Sequence, residues 1–147
     1  MMFKIGLAIA AGICVASSLN AEVVDCTFKT NEQSYITDRY IFAYAAGDPL
    51  AAVIDGYIKF KVGKSIDAKL ETNGEKLVFT WKIEVEDRFG AKANMRYRNT
   101  FDPKTMTAQM VAMAAGVPGE AINFTASGKC DYIDEKTGKA KKPKAKN

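Results

Sequence analysis

The sequence predicts an all-β domain, an antiparallel up-and-down meander of seven or eight strands that closes into a small barrel, with a two-sheet β-sandwich as the alternative. Three observations lead there. Apolar and polar residues alternate with period two through most of the chain, short turn signals separate the alternating runs, and two cysteines bracket the series.

The clearest strand is "KLVFTWKIEVE", with Leu77, Phe79, Trp81, Ile83 and Val85 on one face and Thr80, Lys82, Glu84 and Glu86 on the other. "ANMRYRNTF" repeats the pattern, setting Ala93, Met95, Tyr97 and Phe101 against Asn94, Arg96, Arg98 and Thr100. In "AAVIDGYIKFKV" the expected apolar face is Ala52, Ile54, Ile58, Phe60 and Val62. "SIDAKLE" contributes Ile66, Ala68 and Leu70, and "AINFTASGKC" contributes Ile122, Phe124, Ala126 and Cys130. "VVDCTFK" and "SYITDRYIFAY" also read as strands. Turn chemistry falls between these runs at "GDP" (47–49), "VGK" (62–64), "TNGE" (72–75), "RFGA" (88–91) and "VPGE" (117–120). Asn-Gly in the third of these suits a type I′ hairpin. Links this short join antiparallel neighbours, since parallel strands need long crossovers.

One segment reads two ways. "FDPKTMTAQMVAMAAG" offers a short helix near 103–115, with Asp102 as N-cap, Pro103 at the first helical position and Gly116 past the end. Met106, Ala108, Met110 and Ala112 also alternate, and a strand there completes the up-and-down order. The strand is the preferred reading.

The ends are of a different kind. Residues 1–21, "MMFKIGLAIAAGICVASSLNA", have the form of a secretory signal peptide: Lys4, an apolar stretch from Ile5 to Val15, then the small residues Ser17, Ser18 and Ala21. Cleavage is expected after Ala21, with Ser18 as the alternative, and the exported product is placed in the periplasm or outside the cell. The apolar stretch is shorter than the roughly 20 residues that span a bilayer, so the cleaved protein is not expected to be integral to a membrane. Removal of the signal also removes Cys14. Cys26 and Cys130 remain, and two cysteines in an exported chain are expected to form a disulfide. Such a bond would lock the seam of a closed barrel, because closure makes the first and last strands neighbours. It would close a loop of about 100 residues, worth about 4.7 kcal/mol in the chain-entropy model.

Charge divides the rest. The chain has formal net charge +4, yet residues 22–135, expected to be the single β domain, carry 14 basic and 17 acidic residues. The basic surplus lies in residues 136–147, "KTGKAKKPKAKN", which lack any large apolar side chain and are expected to be a disordered tail. Lys139, Lys141, Lys142, Lys144 and Lys146 are candidate contacts to an anionic envelope surface. No aromatic residue is interleaved among them, so specific nucleic-acid binding is not expected.

The chain contains no histidine, which removes the commonest general base near neutral pH. It has no G-x-S-x-G, no phosphate-binding glycine loop and no calcium-loop pattern. No enzyme activity, catalytic residue, metal or cofactor is expected. Asp25, Asp38 and Asp55 are the carboxylates that could lie in a barrel mouth. Arg96 and Arg98 share a strand face, with Lys82 and Glu84 expected across from them, and cross-strand charge pairing is the preferred reading over anion recognition. The inward face mixes large rings with small residues, so the barrel either fills or leaves an aromatic pocket. The expected role is non-enzymatic binding of a small apolar or amphipathic ligand, with Phe60, Phe79, Trp81, Tyr97 and Phe124 as candidate ligand-binding residues. The alternative is an envelope-associated structural or interaction protein with a filled core and a lysine tail.

Overall fold

A computed structural model describes residues 21–31, 34–86, 89–115, 123–134 and 136–141. The expected signal segment up to residue 20, Arg88, the expected 117–120 turn, Ile122 and residues 142–147 lie outside the described residues. The chain forms β1 (Ala21–Phe28), β2 (Arg39–Ala45), β3 (Leu50–Asp55), helix α1 (Gly56–Val62), β4 (Ile66–Asn73), β5 (Lys76–Glu86), β6 (Lys92–Asp102), β7 (Thr107–Ala115), β8 (Asn123–Ile133) and β9 (Ala140–Lys141). The strands pair antiparallel in sequence order, and β8 returns to pair with β1. One continuous sheet whose first and eighth strands meet is a closed barrel, so the sandwich alternative does not apply.

The seam stands where the cysteines predicted it. Cys26 lies directly opposite Cys130, with the two Cα atoms 4.0 Å apart and the sulfurs 2.08 Å apart, at disulfide distance. Two residues along, Phe28 faces Gly128. A Cβ at Gly128 would stand 2.7 Å from Phe28 Cδ1 and 2.8 Å from the Thr27 carbonyl oxygen, so only glycine lets the Phe28 ring lie across the seam.

Alternation fixes which side chains point inward. Phe79, Trp81 and Met95, Tyr97, Phe101 are buried along the long β5–β6 hairpin, while Lys82, Glu84, Arg96 and Arg98 are exposed. The 103–115 segment is turn and strand, with Ala108, Met110 and Ala112 buried. The preferred strand is therefore the observed one, and the possible helix is absent. Met106 in the preceding turn takes a left-handed φ of 56°. Its N–H donates to the Asp102 carbonyl and its own carbonyl accepts from Cys130 N–H, both at 2.8 Å, which holds this conformation.

Three expectations change. The run "AAVIDGYIKFKV" is not one strand: β3 stops at Asp55 and α1 follows. Asp55 caps that helix by accepting from Ile58 N–H at 2.7 Å, and Gly63 closes its C-terminus. The β4–β5 hairpin is one residue out of the expected phase. Asn73 pairs with Lys76, so Gly74 is the first central residue, with φ 63°, as in a type II′ turn and not the type I′ turn Asn-Gly suggested. Lastly, residues 136–141 do not form a disordered tail. Asp134 accepts from Lys136 N–H through its side chain and from Gly138 N–H through its carbonyl, and the chain turns back to lay β9 beside β8.

Candidate functional site

The barrel interior is filled by rings through most of its length. Phe42 and Phe79 meet at 4.5 Å between centroids, Tyr44 packs edge-on to Phe79, and the Tyr44 and Tyr132 hydroxyls hydrogen-bond at 3.1 Å. Above them Trp81 stacks on Tyr97, with centroids 5.3 Å apart and planes 6° from parallel, and Tyr40 leans on both. Past this layer the barrel opens into a pocket of about 170 Å³.

Segment 34–38, expected to be strand, instead folds over this mouth. Side chains take up its backbone groups: Ser34 Oγ accepts from Ile36 N–H, and Tyr40 Oη accepts from Thr37 N–H. These bonds compete with a sheet ladder. Tyr97 Oη donates to the Tyr35 carbonyl at 2.7 Å, anchoring the segment to β6. The opposite wall is α1. Tyr57 Oη donates to the Glu84 carbonyl at 3.2 Å and accepts from Glu86 N–H at 3.1 Å, tying the helix to the end of β5. Asp55 links the two walls, since its second carboxylate oxygen accepts from Thr37 Oγ1 at 2.6 Å.

The resulting lining includes Tyr35, Tyr40, Tyr57, Trp81, Tyr97 and the carboxylates Asp55 and Glu86. Burial pushes the Tyr40 and Tyr97 hydroxyls far above the usual phenol range, and the Asp55 charge raises both further. They therefore stay neutral through physiological pH and are not phenolate bases.

Of the five ring residues singled out from sequence, Trp81 and Tyr97 line this pocket. Phe79 faces inward but belongs to the filled part. Phe124 is half-buried and touches the site through Tyr35, edge-on at 5.2 Å. Phe60 is a correction: it lies on α1, outside the barrel, and is 87% exposed. Its alternation with Ile58 and Val62 lost its meaning once the backbone became helical, where neighbours lie three or four residues apart. Among the three carboxylates, Asp55 is in the mouth, Asp38 is exposed, and Asp25 forms a bidentate pair with Arg39 at 2.8 to 3.1 Å. Arg96 does not meet Glu84. The register sets Arg96 opposite Lys82, and Glu84 reaches Lys92 at 4.0 Å.

Of the tail lysines, Lys139 is exposed in the turn before β9. Lys141 pairs with Glu22 at 3.0 Å and covers the Tyr132 ring at 5.9 Å, so its charge is already engaged. Lys142, Lys144 and Lys146 lie outside the described residues.

Sequence reasoning missed Tyr35 and Tyr57, which the loop and helix bring to the mouth, and Tyr40 at the start of β2. It also passed over Asn99, which sits in the inward phase between Tyr97 and Phe101. Asn99 is fully buried, and among the described residues neither its amide oxygen nor its nitrogen has a hydrogen-bond partner. Leaving such a group unsatisfied costs about 1–3 kcal/mol.

Among the described residues, no group of three or more Cys, Asp or Glu side chains is placed to hold a metal ion, and no helix is long and apolar enough to cross a membrane. The chain matches no protein-family model, and no curated protein or solved structure matches it.

Proposed function

We propose that this protein is exported and acts by binding, holding one small amphipathic group in the mouth of its barrel. The pocket above a filled interior carries this reading. Its volume of about 170 Å³ is close to the roughly 150 Å³ of a cavity that takes up benzene. It is well below the about 300–1,000 Å³ of drug-sized sites. One ring or one branched head group fits; a long acyl chain does not.

The chemistry favours binding over catalysis. Tyr40 and Tyr97 are held neutral, and both oxygens of Asp55 already accept hydrogen bonds. Export is supported by the signal-like segment 1–21 and by a cysteine pair at disulfide distance, which suits an oxidising compartment. The outward faces of β4 to β6 carry Lys69, Glu71, Lys82, Glu84, Arg96 and Arg98, chemistry that belongs in water and not against lipid. A role for the lysine-rich end on anionic surfaces rests chiefly on Lys142, Lys144 and Lys146, because Lys141 is engaged by Glu22.

Saturation-transfer NMR tests the reading with a panel of one-ring and branched fragments that are neutral, cationic and anionic. At least one class should receive magnetisation from the protein, and Tyr57→Ala, which removes a pocket wall, should abolish the transfer. Transfer to none of them, or transfer indifferent to Tyr57→Ala, would overturn it.

A further inference from the structure

We propose that the group held in the mouth is a cation, a substituted ammonium, recognised by ring faces and carboxylates together. This rests on the reading of the mouth as a binding pocket and names the chemistry of its ligand.

Three of the hydroxyl donors around the pocket are already committed to protein acceptors. The Tyr97 hydroxyl donates to the Tyr35 carbonyl, the Tyr57 hydroxyl to the Glu84 carbonyl, and the Thr37 hydroxyl to Asp55. These groups leave oxygen lone pairs and aromatic surface to a ligand. A lining of acceptors complements a positive charge and repels an anion.

Charge points the same way. Asp55 and Glu86 both line the pocket, and among the described residues no Lys or Arg does. Among the described residues neither carboxylate has a cation within ion-pair distance, whereas Asp25 has Arg39 and Glu22 has Lys141. Two carboxylates that lie together at an aromatic opening are what an incoming cation would neutralise.

The rings supply the third element. Tyr40, Tyr57, Trp81 and Tyr97 border the space, so a compact cation held there has four aromatic rings in its lining. An aromatic face attracts ammonium groups within about 6 Å of its centroid, and quaternary ammonium ligands are held in this way. Among the described residues no three carboxylate or thiolate side chains are grouped to hold a metal ion, so an alkylated cation is the better match. Phe60 and Phe89 are 87% and 84% exposed at the same end of the barrel. The same head group could therefore arrive free or on a lipid.

Trp81 is the only tryptophan in the chain and borders the pocket, so its fluorescence reports occupancy directly. The oxidised mature chain would be titrated with tetramethylammonium, with neutral tert-butanol and with anionic pivalate, at matched ionic strength. The expected result is a saturable response to tetramethylammonium, at least about tenfold weaker binding of tert-butanol, and none of pivalate. Asp55→Asn keeps a side chain able to cap α1 and should weaken the cation severalfold and tert-butanol much less. Glu86→Gln, on an exposed residue, should do the same more weakly, and carries the test if Asp55→Asn fails to fold. Choline and phosphatidylcholine vesicles present one head group from two sources. A response to choline supports a soluble ligand, and a response to vesicles alone supports a lipid. If tert-butanol binds as tightly as tetramethylammonium, the cation proposal fails and the pocket reading stands. If no probe of any charge binds, both fail.

Discussion

Exposure alternates residue by residue through β6, through β5 apart from the adjacent buried pair Val78–Phe79, and through β8 as far as Tyr132, whereas β2 is buried at Tyr40, Ile41, Phe42, Ala43 and Tyr44 in succession, and β1 and β3 each bury adjacent pairs, Val23–Val24 and Val53–Ile54. The two arcs belong to one barrel. The alternating arc is a plain wall with water on one side, joined by hairpins. The other arc is interrupted twice, by segment 34–38 and by α1, and both interruptions lie at the pocket. Regular pairing supplies stability here, and departure from it supplies the site.

The seam should show the largest effect. Replacing both Cys26 and Cys130 by alanine should lower unfolding free energy by about 4–5 kcal/mol, read from urea titration against the oxidised parent. A loss below about 1 kcal/mol would mean that hydrogen bonding alone closes the barrel.

High pH should bring down both arcs together, because buried tyrosines lie in each ring layer. Tyr40, Tyr44 and Tyr97 have pKa values raised above the unfolded value near 10, chiefly by burial. Their contribution is fully present below pH 10 and is lost as pH rises toward the folded values, since the unfolded chain gives up protons that the fold retains. The three together predict a fall of up to about 4 kcal/mol per pH unit above pH 10. Stability flat to pH 12 would show that these hydroxyls reach solvent.

Gly128→Ala should cost about 2 kcal/mol, because the new Cβ meets both the Phe28 ring and the Thr27 backbone, which cannot move aside together. Phe60→Ser should sit at the other extreme, within about 0.5 kcal/mol of the parent, since the ring is solvent-exposed on α1. A loss of several kcal/mol there would restore the strand that the sequence suggested.

Legibility followed the same division. The β5–β6 hairpin could be read directly, because a strand with one wet face records its own periodicity. The seam was legible because closure is the one arrangement that brings Cys26 to Cys130. What failed was the stretch around Asp55. Ile58, Phe60 and Val62 alternate like a strand, yet α1 buries only Ile58, and the local signals were the Asp55 cap and the Gly63 stop. Ile-x-Phe-x-Val outweighed them in a pattern that weighs hydrophobicity alone. The start of the tail failed similarly. Lys136 to Lys141 has no apolar core of its own, but Asp134 supplies the bonds that turn it back onto β8. Two site residues, Trp81 and Tyr97, could be named in advance because they sit on the legible hairpin. Tyr35 and Tyr57 reach the mouth through non-local bonds to β6 and β5, which no window of sequence contains, and Tyr40 sits in β2, whose burial does not alternate.

The most direct test of the division into a stable wall and a site-bearing arc is amide hydrogen exchange on the oxidised chain, read by mass spectrometry. Peptides from β5, β6 and β8 should exchange only through global unfolding, while those covering 34–38 and 56–62 should exchange faster through local opening. Protection uniform across both arcs, or weaker in the β5–β6 hairpin than in α1, would contradict the account.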